Sequence, residues 1–225
     1  MSKGRGISIS DSPFTRTVEG VLFDMDGTLI DSTPAVIRCW IRLAEEEGFD
    51  PRFLENNHGT PAAQILEQVL PPERIPAALA RIIELEETDL EGVVALPGAQ
   101  ELLDSLPADK HAIVTSCTRN LALRRLKQAG LRAPETIVTF DDVTLGKPHP
   151  EPFELGASLL GLDPRNCIVF EDAPAGLAAG AAAGCTTIAI AGTHPGEHLE
   201  ADAVIGDLSQ VAVTLNDGSI TLTVQ

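Results

Sequence analysis

Tyrosine is absent from this 225-residue chain, tryptophan occurs once and phenylalanine seven times. With 44% hydrophobic residues, the interior must be filled mainly by Ala, Leu, Ile and Val, as in many α/β proteins with buried parallel strands. Positive charge is also scarce. A formal net charge of −17 argues against nucleic acid or an anionic membrane as a partner. Lysine occurs only as Lys3, Lys110, Lys127 and Lys147, so the place of each is informative. The four cysteines, Cys39, Cys117, Cys167 and Cys185, are far apart and form no C-x-x-C pair. That spacing suits reduced thiols better than a disulfide framework or a zinc site. No apolar run reaches the length of a membrane span. Residues 1–20 lack the apolar core of a signal peptide and read as a short mobile tail. The expectation is a cytoplasmic protein, monomeric or weakly homo-oligomeric, forming one large domain or a domain with an insertion.

Against this background the stretch Val21-Leu22-Phe23-Asp24-Met25-Asp26-Gly27-Thr28 stands out. Three apolar residues read as a buried strand, two carboxylates spaced i, i+2 sit at its end, and a glycine permits a sharp turn. Residues two apart on an extended chain point the same way. Both carboxylates would therefore emerge together at the carboxyl end of a strand, where open α/β sheets bind ligands. Such a pair binds a divalent cation, performs nucleophilic and acid–base work, or does both. An acidic turn is the plain alternative.

Ser32 is placed to cap a helix with Pro34 in its first turn, and Ala35–Phe49 reads as amphipathic. Helical patterns follow over Thr60–Leu70 and from Pro72 to about Glu87, so 34–96 reads as wholly helical. Beyond Leu96-Pro97-Gly98, strands His111–Ser116, Thr136–Thr139, Cys167–Glu171 and Thr186–Ala191 alternate with helices 98–106, 119–129, 151–160 and 174–184. A weaker strand lies at Ala203–Ile205. This order predicts a Rossmann-like parallel sheet flanked by helices. The tail, with Asn216-Asp217-Gly218 between two apolar runs, predicts a β-hairpin. The expected organisation is a core of 1–33 and 97–225 and a helical cap of 34–96, inserted beside the acid pair where a lid attaches.

Other strand ends carry useful chemistry. Ser116, before the helix opened by Cys117-Thr118-Arg119, offers a hydroxyl and free N–H groups for an anion, or simple capping by Ser116 or Thr118. Lys147 sits in Gly146-Lys147-Pro148-His149-Pro150, where two prolines would hold the ammonium in place to bind phosphate. Glu171-Asp172 ends another apolar strand. Set against Asp24 and Asp26, it completes an oxygen-rich cluster suited to Mg²⁺.

In these motifs, Asp24-Met25-Asp26-Gly27-Thr28, Ser116, Lys147 and Glu171-Asp172, the chain resembles the haloacid dehalogenase-like hydrolase superfamily. The longer strings Val114–Arg119, Gly146–Pro152 and Val169–Gly176, with His58-Gly59, resemble its glycerol-3-phosphatase and 2-deoxyglucose-6-phosphatase group. That group usually has glycine where Cys117 stands. It also tends to carry an arginine soon after the cap His-Gly, where this chain has Thr60-Pro61-Ala62. The resemblance implies a Mg²⁺-dependent phosphatase acting on a small sugar or polyol phosphate. Asp24 would be the nucleophile and Asp26 the general acid and base. Asp24, the Asp26 carbonyl, Asp172 and Glu171 would hold the metal. Ser116, the Cys117 N–H and Lys147 would bind phosphate, with His58, Thr118 and Arg119 as specificity contacts. A β-phosphoglucomutase-like mutase is the first alternative. It is disfavoured because Val36 stands where a mutase-like histidine is expected and the cap lacks lysine. A non-catalytic, phosphometabolite-binding relative is the second.

Overall fold

The computed structural model describes residues 13–52, 62–192, 196, 199–216 and 218–224. In chain order the elements are β1 (Phe14–Val18), β2 (Gly20–Phe23), β3 (Ile30–Asp31), α1 (Thr33–Glu47), α2 (Ala62–Val69), α3 (Ile75–Thr88) and β4 (Val94–Ala95). They continue as α4 (Ala99–Ser105), β5 (His111–Val114), α5 (Arg119–Gln128), β6 (Thr136–Val138), α6 (Glu151–Leu159) and β7 (Cys167–Glu171). The chain closes with α7 (Pro174–Ala182), β8 (Thr186–Ile190), β9 (Ala203–Ile205), β10 (Val211–Asn216) and β11 (Ser219–Val224).

The principal sheet runs β6-β5-β2-β7-β8-β9, and every neighbouring pair is parallel. Its four inner strands, β5, β2, β7 and β8, are buried on both faces, which explains their continuous apolar runs. Side chains alternate between two apolar layers. Val21, Phe23, Ile113, Ile168 and Phe170 meet Leu102, Leu103, Ala122 and Leu126 of α4 and α5. Leu22, Ala112, Val114 and Val169 meet Phe153, Ala157 and Ala179 of α6 and α7. Phe23 and Phe170, on adjacent strands, stack with ring centroids 5.3 Å apart, a contact worth ~0.5–1.5 kcal/mol beyond the area it buries.

Two features correct the sequence expectation. Residues 14–18 are not a mobile tail, because β1 pairs antiparallel with β11 and extends the expected hairpin to three strands. Ile220, Leu222 and Val224 of β11 point into the main core and anchor that sheet. The segment 34–96 is not wholly helical either, since Val94 and Ala95 pair with Asp31 and Ile30. This short ladder brings the two ends of the helical segment together. Its helices share a separate apolar cluster in which Trp40 and Leu43 of α1 meet Ile65, Leu66, Ile82 and Leu85. The expected helix start at Thr60 falls outside the described residues. No helix among the described residues is long and apolar enough to cross a membrane.

Candidate active site

The sheet order reverses at β2, which has β5 on one side and β7 on the other. Such a switch point opens a crevice beyond the strand ends. Asp24 follows β2, Thr115 and Ser116 follow β5, and Glu171 with Asp172 closes β7. The Asp24 N–H donates to the Phe170 carbonyl (2.9 Å), which ties the first acid to the neighbouring strand. Gly27, at φ +88°, then reverses the chain, and its N–H donates to the Ile30 carbonyl (2.8 Å). A left-handed residue there favours glycine because it has no Cβ to clash.

Lys147 is the electrostatic centre. Its Nζ donates to Asp24 Oδ1 (2.6 Å), the Val114 carbonyl (2.9 Å) and Glu171 Oε1 (2.9 Å). Those three acceptors match the three N–H bonds of an ammonium. Phe153 backs the charge with its ring centroid 5.0 Å away, within cation–π range. Burial works against the charged lysine, but Asp24 and Glu171 outweigh it and raise its pKa. The Asp24 carboxyl is pushed well up, first by burial and then by Glu171 and Asp172, with Lys147 opposing. The site therefore holds more negative charge than one ammonium balances. Asp24, Glu171 and Asp172 present oxygens within 4.8 Å of one another, all three buried. Three hard oxygen donors in that arrangement fit a divalent cation of the Mg²⁺ type.

Asp26 is held by a different set of partners. Its Oδ1 accepts from Ser32 Oγ (2.6 Å) and Arg125 Nη1 (2.9 Å), and its Oδ2 accepts from Cys117 Sγ (3.1 Å). Ser32 occupies the cap position of α1 but makes no side-chain cap bond, because its hydroxyl is committed to Asp26. Burial, then the neighbouring Asp26 charge, raises the Cys117 thiol well above its ordinary pKa, so the sulfur is a neutral donor.

A crevice of about 170 Å³ is lined by Asp24, Asp26, Ser116, Cys117, Lys147 and Asp172, with Val36 and Ile37 of α1 on another wall. It thus gathers Ser116 and Cys117 with the acids and the lysine. The Cys117 N–H donates to Thr115 Oγ1 (3.2 Å). Thr118 and Arg119 do not line the crevice. Thr118 caps α5 by accepting from the Leu121 N–H (3.4 Å). Arg119 donates to Asp142 Oδ2 (2.7 Å) and the Ile137 carbonyl (3.0 Å). His58 lies outside the described residues.

Sequence reasoning missed Arg125, which lies in none of the motifs that the sequence singles out. A signal existed. Position 125 falls on the same helix face as Leu121 and Ala122, so helical periodicity puts a charge on a buried face, where arginine requires partners. The Ser32 contact has no comparable signal, since the residue reads equally well as a helix cap.

The chain is similar to known proteins. The family model for haloacid dehalogenase-like hydrolases matches residues 21–190. Hexitol phosphatase A of Escherichia coli (strain K12) is 44% identical over 203 residues, covering 87% of this chain and 94% of that protein. Glycerol-1-phosphate phosphohydrolase 2 of Saccharomyces cerevisiae is 36% identical over 200 residues, covering 83% and 80% respectively. Among solved structures, a hydrolase from Pseudomonas syringae superposes with a TM-score of 0.73 at 27% identity, covering 84% of this chain and 93% of that one.

Proposed function

The chain belongs to the haloacid dehalogenase-like hydrolase family, and from that premise we propose that it is a Mg²⁺-dependent phosphomonoesterase acting on a small sugar or polyol phosphate. The observation that carries this reading is the seating of Lys147 between Asp24 and Glu171 at the ends of adjacent parallel strands. In that position the ammonium orients the Asp24 carboxylate and offsets repulsion between it and an incoming phosphate. The hexitol and glycerol phosphatases named above support the substrate class.

Asp24, Glu171, Asp172 and the Asp26 carbonyl would hold Mg²⁺, which when bound supplies Lewis-acid stabilisation of the phosphoryl charge. Asp24 attacks phosphorus through a carboxylate oxygen, forming an aspartyl-phosphate as the bond to the leaving oxygen breaks. Asp26 gives its proton to the departing alkoxide, then takes one from the water that hydrolyses the acyl phosphate. Ser116 holds a phosphate oxygen, the Cys117 N–H joins it by exchanging its Thr115 contact, and Lys147, kept on Asp24 and Glu171, stabilises the phosphoryl charge through space. Residues 34–96 act as a cap over a core of 1–33 and 97–225, excluding bulk water. A cytoplasmic setting and a monomeric or weakly associating state fit the dispersed thiols and the acidic surface.

A mutase must anchor a second phosphate with cap cations. Each of Arg38, Arg42, Arg52, Arg74 and Arg81 is already paired with a nearby carboxylate, and the α1 wall of the crevice is the apolar pair Val36 and Ile37. These observations favour hydrolysis. The test is phosphate release from a panel of hexitol, glycerol and sugar phosphates, with Mg²⁺ and with EDTA. Glucose 1-phosphate plus a bisphosphate primer is assayed alongside for isomerisation. Mg²⁺-dependent release supports the proposal. Isomerised product without free phosphate, or no turnover of any substrate, contradicts it.

A further inference from the structure

Arg125 is 4% exposed, and its guanidinium joins residues from three separate parts of the chain. One Nη donates to Asp26 Oδ1 (2.9 Å) and to Cys117 Sγ (3.3 Å), and the other donates to Glu86 Oε2 (3.1 Å). Glu86 lies on α3, within the helical segment, and also bonds the Trp40 side chain of α1. Arg125 Nε has no hydrogen-bond partner among the described residues. A buried cation with an unsatisfied N–H is a poor device for stability, because apolar side chains of similar volume often serve that purpose as well. Its geometry suits another purpose. A rigid planar fork holds two carboxylates in a fixed relative geometry. One of those carboxylates faces the crevice, and the other belongs to the helices above it.

We propose that Arg125 is a positioning residue for Asp26, aiming the acid–base carboxylate at the substrate while Glu86 fixes the guanidinium from the cap side. With Oδ1 held by Ser32 and Arg125, Oδ2 has only the weak thiol donor of Cys117. Oδ2 is thus the oxygen that exchanges a proton with the leaving group. The contact with Glu86 makes this aim conditional on the position of the helical segment, so proton transfer is fully competent only when the cap is seated. The inference rests on the proposed acid–base role of Asp26.

The test compares two leaving groups under enzyme excess with Mg²⁺, following the first turnover only. Sorbitol 6-phosphate releases an alkoxide that needs a proton, whereas p-nitrophenyl phosphate releases a weakly basic phenolate that does not. In Arg125→Met the sorbitol reaction is expected to fall about 100-fold, within the usual range for a general acid, while p-nitrophenolate release stays close to wild type. A merely structural role lowers both in proportion, and that result, or no loss in either, overturns the inference. Should Arg125→Met fail to fold, Glu86→Gln decides. It keeps the guanidinium on Asp26, and a smaller loss confined to sorbitol 6-phosphate is expected. An unchanged ratio of the two rates overturns the inference. Asp26→Asn separates the two claims. If it turns over sorbitol 6-phosphate like wild type, the acid–base reading itself falls. If it is inactive on that substrate while Arg125→Met and Glu86→Gln behave as wild type, only the positioning role falls.

Discussion

Glu171 is held by what is missing beside it. A Cβ on Gly176 would lie 1.7 Å from Glu171 Oε1 and 2.0 Å from its Cδ, so only glycine allows α7 to pass this close to the carboxylate. Gly176→Ala must displace Glu171 from Lys147 Nζ and from the Ala173 N–H, now 2.9 and 2.6 Å away. Shifts of about 1 Å in a catalytic array cost on the order of 100-fold, and kcat/KM for a hexitol phosphate should fall by that amount. Overpacking should cost ~1–3 kcal/mol of stability, leaving the protein folded in a thermal melt. Wild-type kinetics in this variant would show that Glu171 placement is unimportant. At this scale the sequence was legible where a residue stands at the end of a strand, as Asp24, Ser116 and Glu171 do. It was opaque where one residue had two plausible uses. Ser32 read as a cap and serves Asp26, whereas Thr118 read both as a cap and as a specificity contact, and it caps α5.

Among the elements, the helical segment is braced from outside as well as from its apolar cluster. Glu46 of α1 accepts from Arg42 one turn earlier (3.2 Å) and from Arg81 of α3 (2.8 Å). Hydrogen bonding from Arg81, the larger effect, and from Arg42 lowers the Glu46 pKa from 4.5 to about 2. A carboxylate whose pKa is depressed on folding adds stability above its unfolded value and loses it as pH falls through the folded value. The α1–α3 brace is therefore complete above pH 4.5 and weakens toward pH 2. Carboxyl NMR should place the Glu46 titration near 2 in the wild type and return it toward 4.5 in Arg81→Met. A midpoint unchanged by that substitution would remove Arg81 as the cause. The longer helices were readable because apolar residues recur along them at helical spacing. The pairing of β3 with β4 was not readable, since two-residue strands carry no periodicity. Nor was β1, whose Thr15, Arg16 and Thr17 are exposed and whose pairing depends on β11, about two hundred residues away.

For the molecule as a whole, the parallel sheet was legible because strands buried on both faces are written as apolar runs between helices. The strand order was not, since which neighbours flank β2 is settled by long-range packing. That order nonetheless makes the site. Placing β2 between β5 and β7 brings the acid pair, the hydroxyl loop and Glu171-Asp172 to one crevice, and Lys147 closes it from the loop before α6. The link Asp26–Arg125–Glu86 crosses from sheet to helices through residues far apart in sequence. No local pattern announces such a pairing. The central claim is that Asp24 carries the phosphoryl group between substrate and water, and one measurement addresses it directly. Enzyme mixed with Mg²⁺ and sorbitol 6-phosphate is quenched in acid within the first turnover, digested and weighed peptide by peptide. The account predicts the added mass of one phosphoryl group on the peptide containing Asp24, absent in Asp24→Asn, which also releases no phosphate. Phosphate released at the wild-type rate by Asp24→Asn, or a phosphoryl group found on another residue, would contradict it.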